Sequence, residues 1–142
     1  MRYAYPFDME PQTAGGFTVT FPDVPEAITE GDTASEARER AEAALVTALS
    51  FYTDDAMPLP TPSAARGRPV AMVPPLVAAK LALHDAMLGA GVTNVELARR
   101  LGLDEKAVRR LRDPLHRSHS GQVEAALRLL GKRLEVRVLE AL

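Results

Sequence analysis

No cysteine occurs anywhere in the chain, which excludes disulfides, thiolate metal sites, cysteine nucleophiles and thiol redox chemistry. That absence fits a reducing compartment, and the expected location is the cytoplasm. Long apolar runs are missing as well. None approaches the roughly 18 to 20 residues that a bilayer-spanning helix needs, so no membrane partner is expected. The opening Met1-Arg2-Tyr3-Ala4-Tyr5-Pro6 reads as the start of a strand rather than as a targeting peptide. Histidine is sparse: His84, His116 and His119 have no adjacent carboxylate cluster, so they offer no zinc ligand set. A glycine-rich phosphate loop, a dinucleotide fingerprint and a serine-histidine-acid motif are all lacking. Asp8, Asp23, Glu26 and Glu30 could in principle gather into a two-metal nuclease site, but such residues are more often turn and surface acids. The sequence therefore points to a protein with no catalytic residues, no cofactor and no metal.

What is present is an ordinary globular composition, 46% apolar and 25% charged, on 142 residues, enough for one domain or two small ones. The formal net charge of −2 hides a division. Residues 1 to 74 hold 5 Lys/Arg against 11 Asp/Glu, a net −6, whereas residues 75 to 142 hold 12 against 8, a net +4. An acidic half tied to a basic half implies two kinds of partner, because an anionic nucleic acid is attracted to one and repelled by the other.

Tyr3, Tyr5 and Phe7 alternate along residues 2 to 8, a strand pattern that Pro6 confines to an edge or a bulge. Gly15-Gly16 supplies a turn, and Phe17-Thr18-Val19-Thr20-Phe21 alternates strictly, so the two strands are expected to form a hairpin. A short further strand fits Ala27 to Gly31. Thr33-Ala34-Ser35-Glu36 then matches a capping box, followed by a long helix with Ala37, Ala41, Ala44, Leu45, Ala48, Leu49 and Tyr52 on one face. Glu36 with Arg40 and Arg38 with Glu42 make i,i+4 pairs on its solvated side. The proline-rich stretch from Met57 to Pro69 predicts a loop and Val70 to Val73 a last strand. Pro74-Pro75 marks the domain boundary and opens a helix over Leu76 to Leu88, with Lys80, His84 and Asp85 as a narrow polar stripe. Ser118 is expected to cap a helix to Leu130, and Arg133 to Leu139 alternates like a closing strand.

Residues 93 to 112 have the spacing of a helix-turn-helix. Thr93 with Glu96 forms a second capping box, Leu97 and Leu101 face a core, Ala98 permits a close helix crossing, and Gly102 permits a left-handed turn that Leu103 plugs. Asp104 caps the second helix, Val108 and Leu111 face inward, and Glu105, Lys106, Arg109, Arg110 and Arg112 are left outside. A recognition helix in the major groove uses such residues for base edges and phosphates. The candidate DNA contacts are Thr93, Asn94, Glu105, Lys106, Arg109, Arg110, Arg112 and Arg117. Paired through the last helix and the closing strand, two such units would bind double-stranded operator DNA as a homodimer or higher oligomer.

The chain resembles the HicB antitoxins of bacterial type II toxin-antitoxin pairs, in the branch with a C-terminal helix-turn-helix. The resemblance is carried by Met1-Arg2-Tyr3, by the run from Gly15 through Phe17-Thr18-Val19-Thr20-Phe21-Pro22-Asp23-Val24-Pro25 to Ala27, by Gly31-Asp32-Thr33-Ala34-Ser35-Glu36-Ala37, and by Pro58-Leu59-Pro60-Thr61-Pro62-Ser63. The helix-turn-helix and Leu130-Gly131-Lys132 extend it over nearly the whole chain. It implies an α+β fold in which residues 1–74 form a reduced RNase H-like sheet with one long helix, without nuclease activity. It implies that residues 75–142 form a small all-α helix-turn-helix domain ending in a strand. It also implies that the first domain masks a small basic RNA-cleaving toxin, HicA, and that the protein represses its own operon; no short motif marks the toxin contacts. Two other classes of function stay open on the residues alone. One is a ligand-responsive helix-turn-helix repressor with a metabolite pocket and no toxin; the other is the divalent-metal nuclease.

Overall fold

The computed structural model describes residues 2–141, so Met1, part of the expected first strand, and Leu142, the end of the expected second domain, lie outside the described residues. In chain order the elements are β1 Ala4–Pro6, β2 Asp8–Pro11, β3 Phe17–Thr20, β4 Ile28–Gly31, α1 Ala34–Asp54, β5 Val70–Met72, α2 Pro75–Ala90, α3 Asn94–Leu101, α4 Glu105–Arg112 and α5 Ser120–Leu129. The architecture is α+β, with a small sheet region and one long helix followed by a compact helical unit.

The single first strand expected from the sequence is two strands in two sheets. β1 pairs antiparallel with β5, with Tyr5 opposite Ala71, and β2 pairs antiparallel with β3, with Met9 opposite Val19. The chain passes from one sheet to the other at Pro6-Phe7, where proline has no N–H to give a ladder and the Phe7 amide turns to the Pro69 carbonyl at 2.9 Å. Period-two alternation survives the break: Tyr3, Tyr5 and Phe7 are all buried. The hairpin therefore runs β2 to β3 through Gly15 and Gly16, both at positive φ, and β4 completes a sheet of order β2-β3-β4.

α1 begins as its capping box dictates. The Thr33 hydroxyl accepts from the Glu36 amide at 3.1 Å, and the Glu36 carboxylate accepts from the Asp32 amide at 3.1 Å, an arrangement worth about 1 kcal/mol. Ala37, Ala41, Leu45, Ala48 and Leu49 are buried against the sheets, and the Arg40–Glu36 pair closes at 2.5 Å on the outer side.

α2 is shared between two hydrophobic clusters. Leu81, with Val77 and Ala78 beside it, joins the cluster of Tyr5, Phe21, Leu45 and Leu49, while Ala79, Leu83 and Met87 join that of Leu97, Val108, Leu111 and Leu127. A tyrosine ties the same helix to the first strand region: the Tyr3 hydroxyl donates to Asp85 Oδ2 at 2.6 Å, and burial first, then this bond, pushes its pKa up. α2 ends at Gly91 in the left-handed conformation and α3 leaves it at 106°. No single helix among the described residues is long and apolar enough to cross a membrane.

The closing strand is absent from the single chain. Residues 132–141 form no ladder, and Val136 and Val138 are 80% and 96% exposed. A strand exists only with a partner edge, and the fold brings none beside this segment.

Candidate nucleic-acid interface

The helix-turn-helix assembles from local signals. The Thr93 hydroxyl accepts from the Glu96 amide at 3.2 Å to open α3, Glu96 pairs with Arg99 and with Arg100, and Leu97 and Ala98 are buried. Gly102 takes φ +70, and the Leu103 amide donates to the Ala98 carbonyl at 2.9 Å, which closes the turn with an αL residue as a helix C-terminus requires. Asp104 Oδ1 then accepts from the Ala107 amide at 2.8 Å to open α4, whose Val108 and Leu111 are buried. Leu103, expected to plug the turn, stays exposed on its rim.

Lys106, Arg109, Arg110 and Arg117 are exposed, as is Thr93, while Glu105 is half-buried. Arg109 Nε donates to Glu105 Oε1 at 2.6 Å, an i,i+4 pair that part-neutralises one edge of the face. Lys106 and Arg110, also i,i+4, form no ion pair among the described residues and stand side by side on the outer surface. Beside Arg109 and Arg110 a cleft of about 450 Å³ opens against Thr53 and Asp54 at the end of α1. Desolvation, then the Asp113 and Asp55 charges, push the Asp54 carboxyl up, and Arg109 opposes them.

Arg112 is a correction. It is 7% exposed, so it cannot serve as an outer DNA contact. Position 112 is four residues after Val108, on the inward stripe, and the guanidinium lies inside the helical unit. Its Nη2 donates to His84 Nδ1 at 2.6 Å and its Nη1 to Asn94 Oδ1 at 2.6 Å, so Asn94, at the start of α3, also spends its acceptor within the fold. Arg112 Nε is buried with no partner. His84 Nε2 lies 2.7 Å from the Met57 carbonyl, which can only accept, so Nε2 carries the proton and Nδ1 offers its lone pair to Arg112. One buried chain thus joins the loop after α1, α2, the end of α4 and the start of α3.

This chain holds His84 neutral. Burial lowers its pKa first, the bond to Met57 opposes this, and the Arg112 charge lowers it further. Below its ordinary value of 6.5 the unfolded chain takes up a proton that the folded chain refuses, so the stability His84 contributes is present above that pH and is lost as pH falls. The urea midpoint is expected to drop from about pH 7 to about pH 5, and to drop less in His84→Gln, whose amide replaces both hydrogen bonds without a titrating group. Equal drops in the two proteins would refute the assignment.

Lys80, on the expected polar stripe with His84, is fully buried. Its ammonium donates to the carbonyls of Arg110 at 2.7 Å and Asp113 at 3.0 Å, and to Ser118 Oγ at 2.7 Å, closing the C-terminal end of α4 with positive charge. Burial lowers its pKa to about 8, with Asp113 acting in the opposite direction. Because Ser118 is engaged by Lys80, α5 starts later than expected and His119 caps it, Nδ1 accepting from the Gly121 amide at 3.2 Å. The sequence signal for Lys80 and His84 is their i,i+4 spacing on a helix that is otherwise apolar except for Asp85.

The four acids considered for a metal site do not assemble into one. Asp23 accepts from the Ser63 amide and hydroxyl, both at 2.9 Å, Glu26 from the Tyr52 hydroxyl at 2.7 Å, and Glu30 from Gln12 at 2.8 Å. Among the described residues no three His, Asp or Glu side chains gather as a metal would need.

Residues 4–82, more than half of the chain, match the family described as HicB-like antitoxin of bacterial toxin-antitoxin system. Over 136 residues, 96% of this chain and 95% of the relative, the sequence is 41% identical to antitoxin HicB 2 of Photorhabdus laumondii. It is 40% identical over 134 residues to antitoxin HicB of Escherichia coli, covering 93% of this chain and 96% of the relative, and 41% identical over 135 residues to antitoxin HicB of Pseudomonas fluorescens, covering 94% and 90%. The match to the relatives spans both the sheet region and the helix-turn-helix, and all three bear the name of an antitoxin rather than of an enzyme. The chain belongs to the HicB-like antitoxin family, the antitoxin component of bacterial toxin-antitoxin systems.

Proposed function

We propose that this chain neutralises a small basic RNA-cleaving toxin of the HicA type by direct contact, and represses its own operon as a DNA-bound dimer in the cytoplasm. Residues 1–74 serve toxin binding, and residues 75–142 serve DNA binding and dimerisation. The observation that carries the DNA half is the outer surface of α4, where Lys106, Arg109 and Arg110 are exposed while Val108 and Leu111 anchor the helix. Arg117 and the α3 start at Thr93 supply phosphate contacts beside it, as basic side chains and helix N-termini do. The net +4 of this half favours approach to DNA, and the net −6 of the other complements a basic toxin.

Dimerisation is supported by the unpartnered tail. Leu134, Val136 and Val138 alternate with Glu135 and Arg137, and Leu129 is exposed nearby on α5, so a second copy would supply the missing strand edge and cover these side chains. Two recognition helices would then enter major grooves about 34 to 36 Å apart. A metabolite-sensing repressor would call for an enclosed pocket in the first half, and the groove between β4 and α1 is open to solvent.

Titrating the full chain with the DNA upstream of its own gene, across a salt series, tests the DNA half. Binding tighter than to scrambled DNA, with a steep loss of affinity as salt rises, is expected. Equal affinity for both DNAs would remove the repressor reading. The toxin half is tested by co-expression with the toxin encoded beside the chain: growth arrest that persists in its presence would remove the neutralisation reading.

A further inference from the structure

Between the outer strand β4 and α1 runs a groove of about 320 Å³ with Ile28, Ala44, Ala48 and Phe51 along it and Glu26 and Arg40 at its rim. Two features separate it from ordinary surface. First, Ile28 is 63% exposed and Phe51 51% exposed, although other large apolar residues of α1, Leu45 and Leu49, are fully buried. Clustered apolar side chains with a polar rim mark a contact surface rather than scattered exposure. Second, the carboxylate on the rim is left without a cation. Arg40, the one cation lining the groove, is already held by Glu36 at 2.5 Å and by the Glu30 carbonyl at 3.2 Å. Glu26 accepts from the neutral Tyr52 hydroxyl and has no ion-pair partner among the described residues.

An occupant must therefore bring an apolar side chain for the floor and a cation for Glu26 on the rim. A small molecule would gain little from so open a groove, and nucleic acid is repelled by the net −6 of residues 1–74. We propose that this groove is the docking site of the toxin, which seats an apolar side chain between Ile28 and Phe51 and sets a lysine or arginine against Glu26. The proposal rests on the reading of this chain as a toxin's direct partner and adds where the contact is made. Buried apolar anchors ringed by charge are where binding energy concentrates at such interfaces. None of these residues belongs to α4, so toxin binding and operator binding are separable by substitution.

The test uses the full chain, with the purified toxin encoded beside it as the probe, in equilibrium binding. Ile28→Ser/Phe51→Ser is compared with wild type and with Val70→Ser/Met72→Ser, which removes two exposed apolar side chains from β5. A loss of at least about 50-fold in toxin affinity for the groove variant alone, with operator affinity and melting temperature unchanged, is the expected result. Glu26→Gln is expected to weaken binding at low salt and to leave it unchanged at high salt. Wild-type affinity in the groove variant overturns the docking site while leaving the antitoxin reading in place. No binding by wild type overturns both. A change of oligomeric state in the groove variant without loss of toxin affinity assigns the groove to a second copy of this chain and overturns the proposal.

Discussion

Gly31→Ala is expected to cost about 3 kcal/mol, the upper part of the range for overpacking, and to lower the melting temperature by about 10 °C. A methyl group at residue 31 would lie 2.5 Å from the Ala37 amide nitrogen, 2.7 Å from its Cα and 2.9 Å from the Glu36 carbonyl carbon. Those are backbone atoms in the first turns of α1, so no rotamer change relieves the clash. The helix itself must move off β4, opening the seam that holds the buried Ala37 and Ala41 against the sheet. For a domain whose whole stability is of the order of 5 to 15 kcal/mol, such a loss also shortens its life against proteases. Gly89→Ala is the control. It lies within α2 with nothing near its added methyl, and it should stabilise by up to about 1 kcal/mol through helix propensity. A Gly31→Ala protein that melts with wild type would contradict the close approach of β4 and α1.

What the sequence makes legible and what it hides differ in range. The faces of the strands and of α1 follow from periods of two and 3.6, which each residue writes locally. The capping box at Thr33, the Thr93 and Asp104 caps and the Gly102 turn likewise need only neighbours within four residues, whereas the Glu96 half of the second expected box is spent on Arg99 and Arg100. The switch of sheets at Pro6-Phe7 is hidden because it depends on which edge lies alongside. Tyr5 finds Ala71 across β5, and Met9 finds Val19 across the hairpin. The closing strand fails for the same reason: alternation at residues 134 to 138 states a preference for a ladder, and the single chain supplies no partner for it.

The polar interior of the helical unit is hidden for a related reason. Lys80, His84 and Arg112 occupy helix positions where a solvated stripe and a buried network look alike. Their partners lie far along the chain, at Arg110, Asp113, Ser118, Met57 and Asn94. A clue exists in spacing. Arg112 continues the inward row of Val108, and Lys80 and His84 stack one turn apart on a helix with no other polar surface except Asp85. Three basic side chains on one apolar unit need acceptors, and the free carbonyls at the end of α4 are among the few at hand. The consequence for function is a sorting of the basic residues into those that hold the helix-turn-helix together and those that project from it.

That sorting fixes the second large effect. Operator affinity is expected to fall by at least about 100-fold in Lys106→Ala/Arg110→Ala, because removing a side chain that reads a base costs about 1 to 3 kcal/mol and a dimer loses both side chains twice. Neither side chain is tied to an acid among the described residues, so neither must break an internal ion pair to reach DNA, and the fold loses nothing when they are removed. Arg109 is different: its pairing with Glu105 must be broken or shared before it can touch a base, so Arg109→Ala is expected to lose less than either. Glu105→Gln should accordingly strengthen binding, since it frees Arg109 and removes a charge that repels phosphate. The salt series separates base reading from phosphate binding. If Lys106 and Arg110 touch only phosphates, affinity falls equally on operator and scrambled DNA, and the slope against salt drops by about 1 for each phosphate no longer engaged. If they read bases, operator affinity falls and the preference over scrambled DNA shrinks with it. Unchanged operator affinity in the double variant would mean that α4 is not the helix that enters the groove.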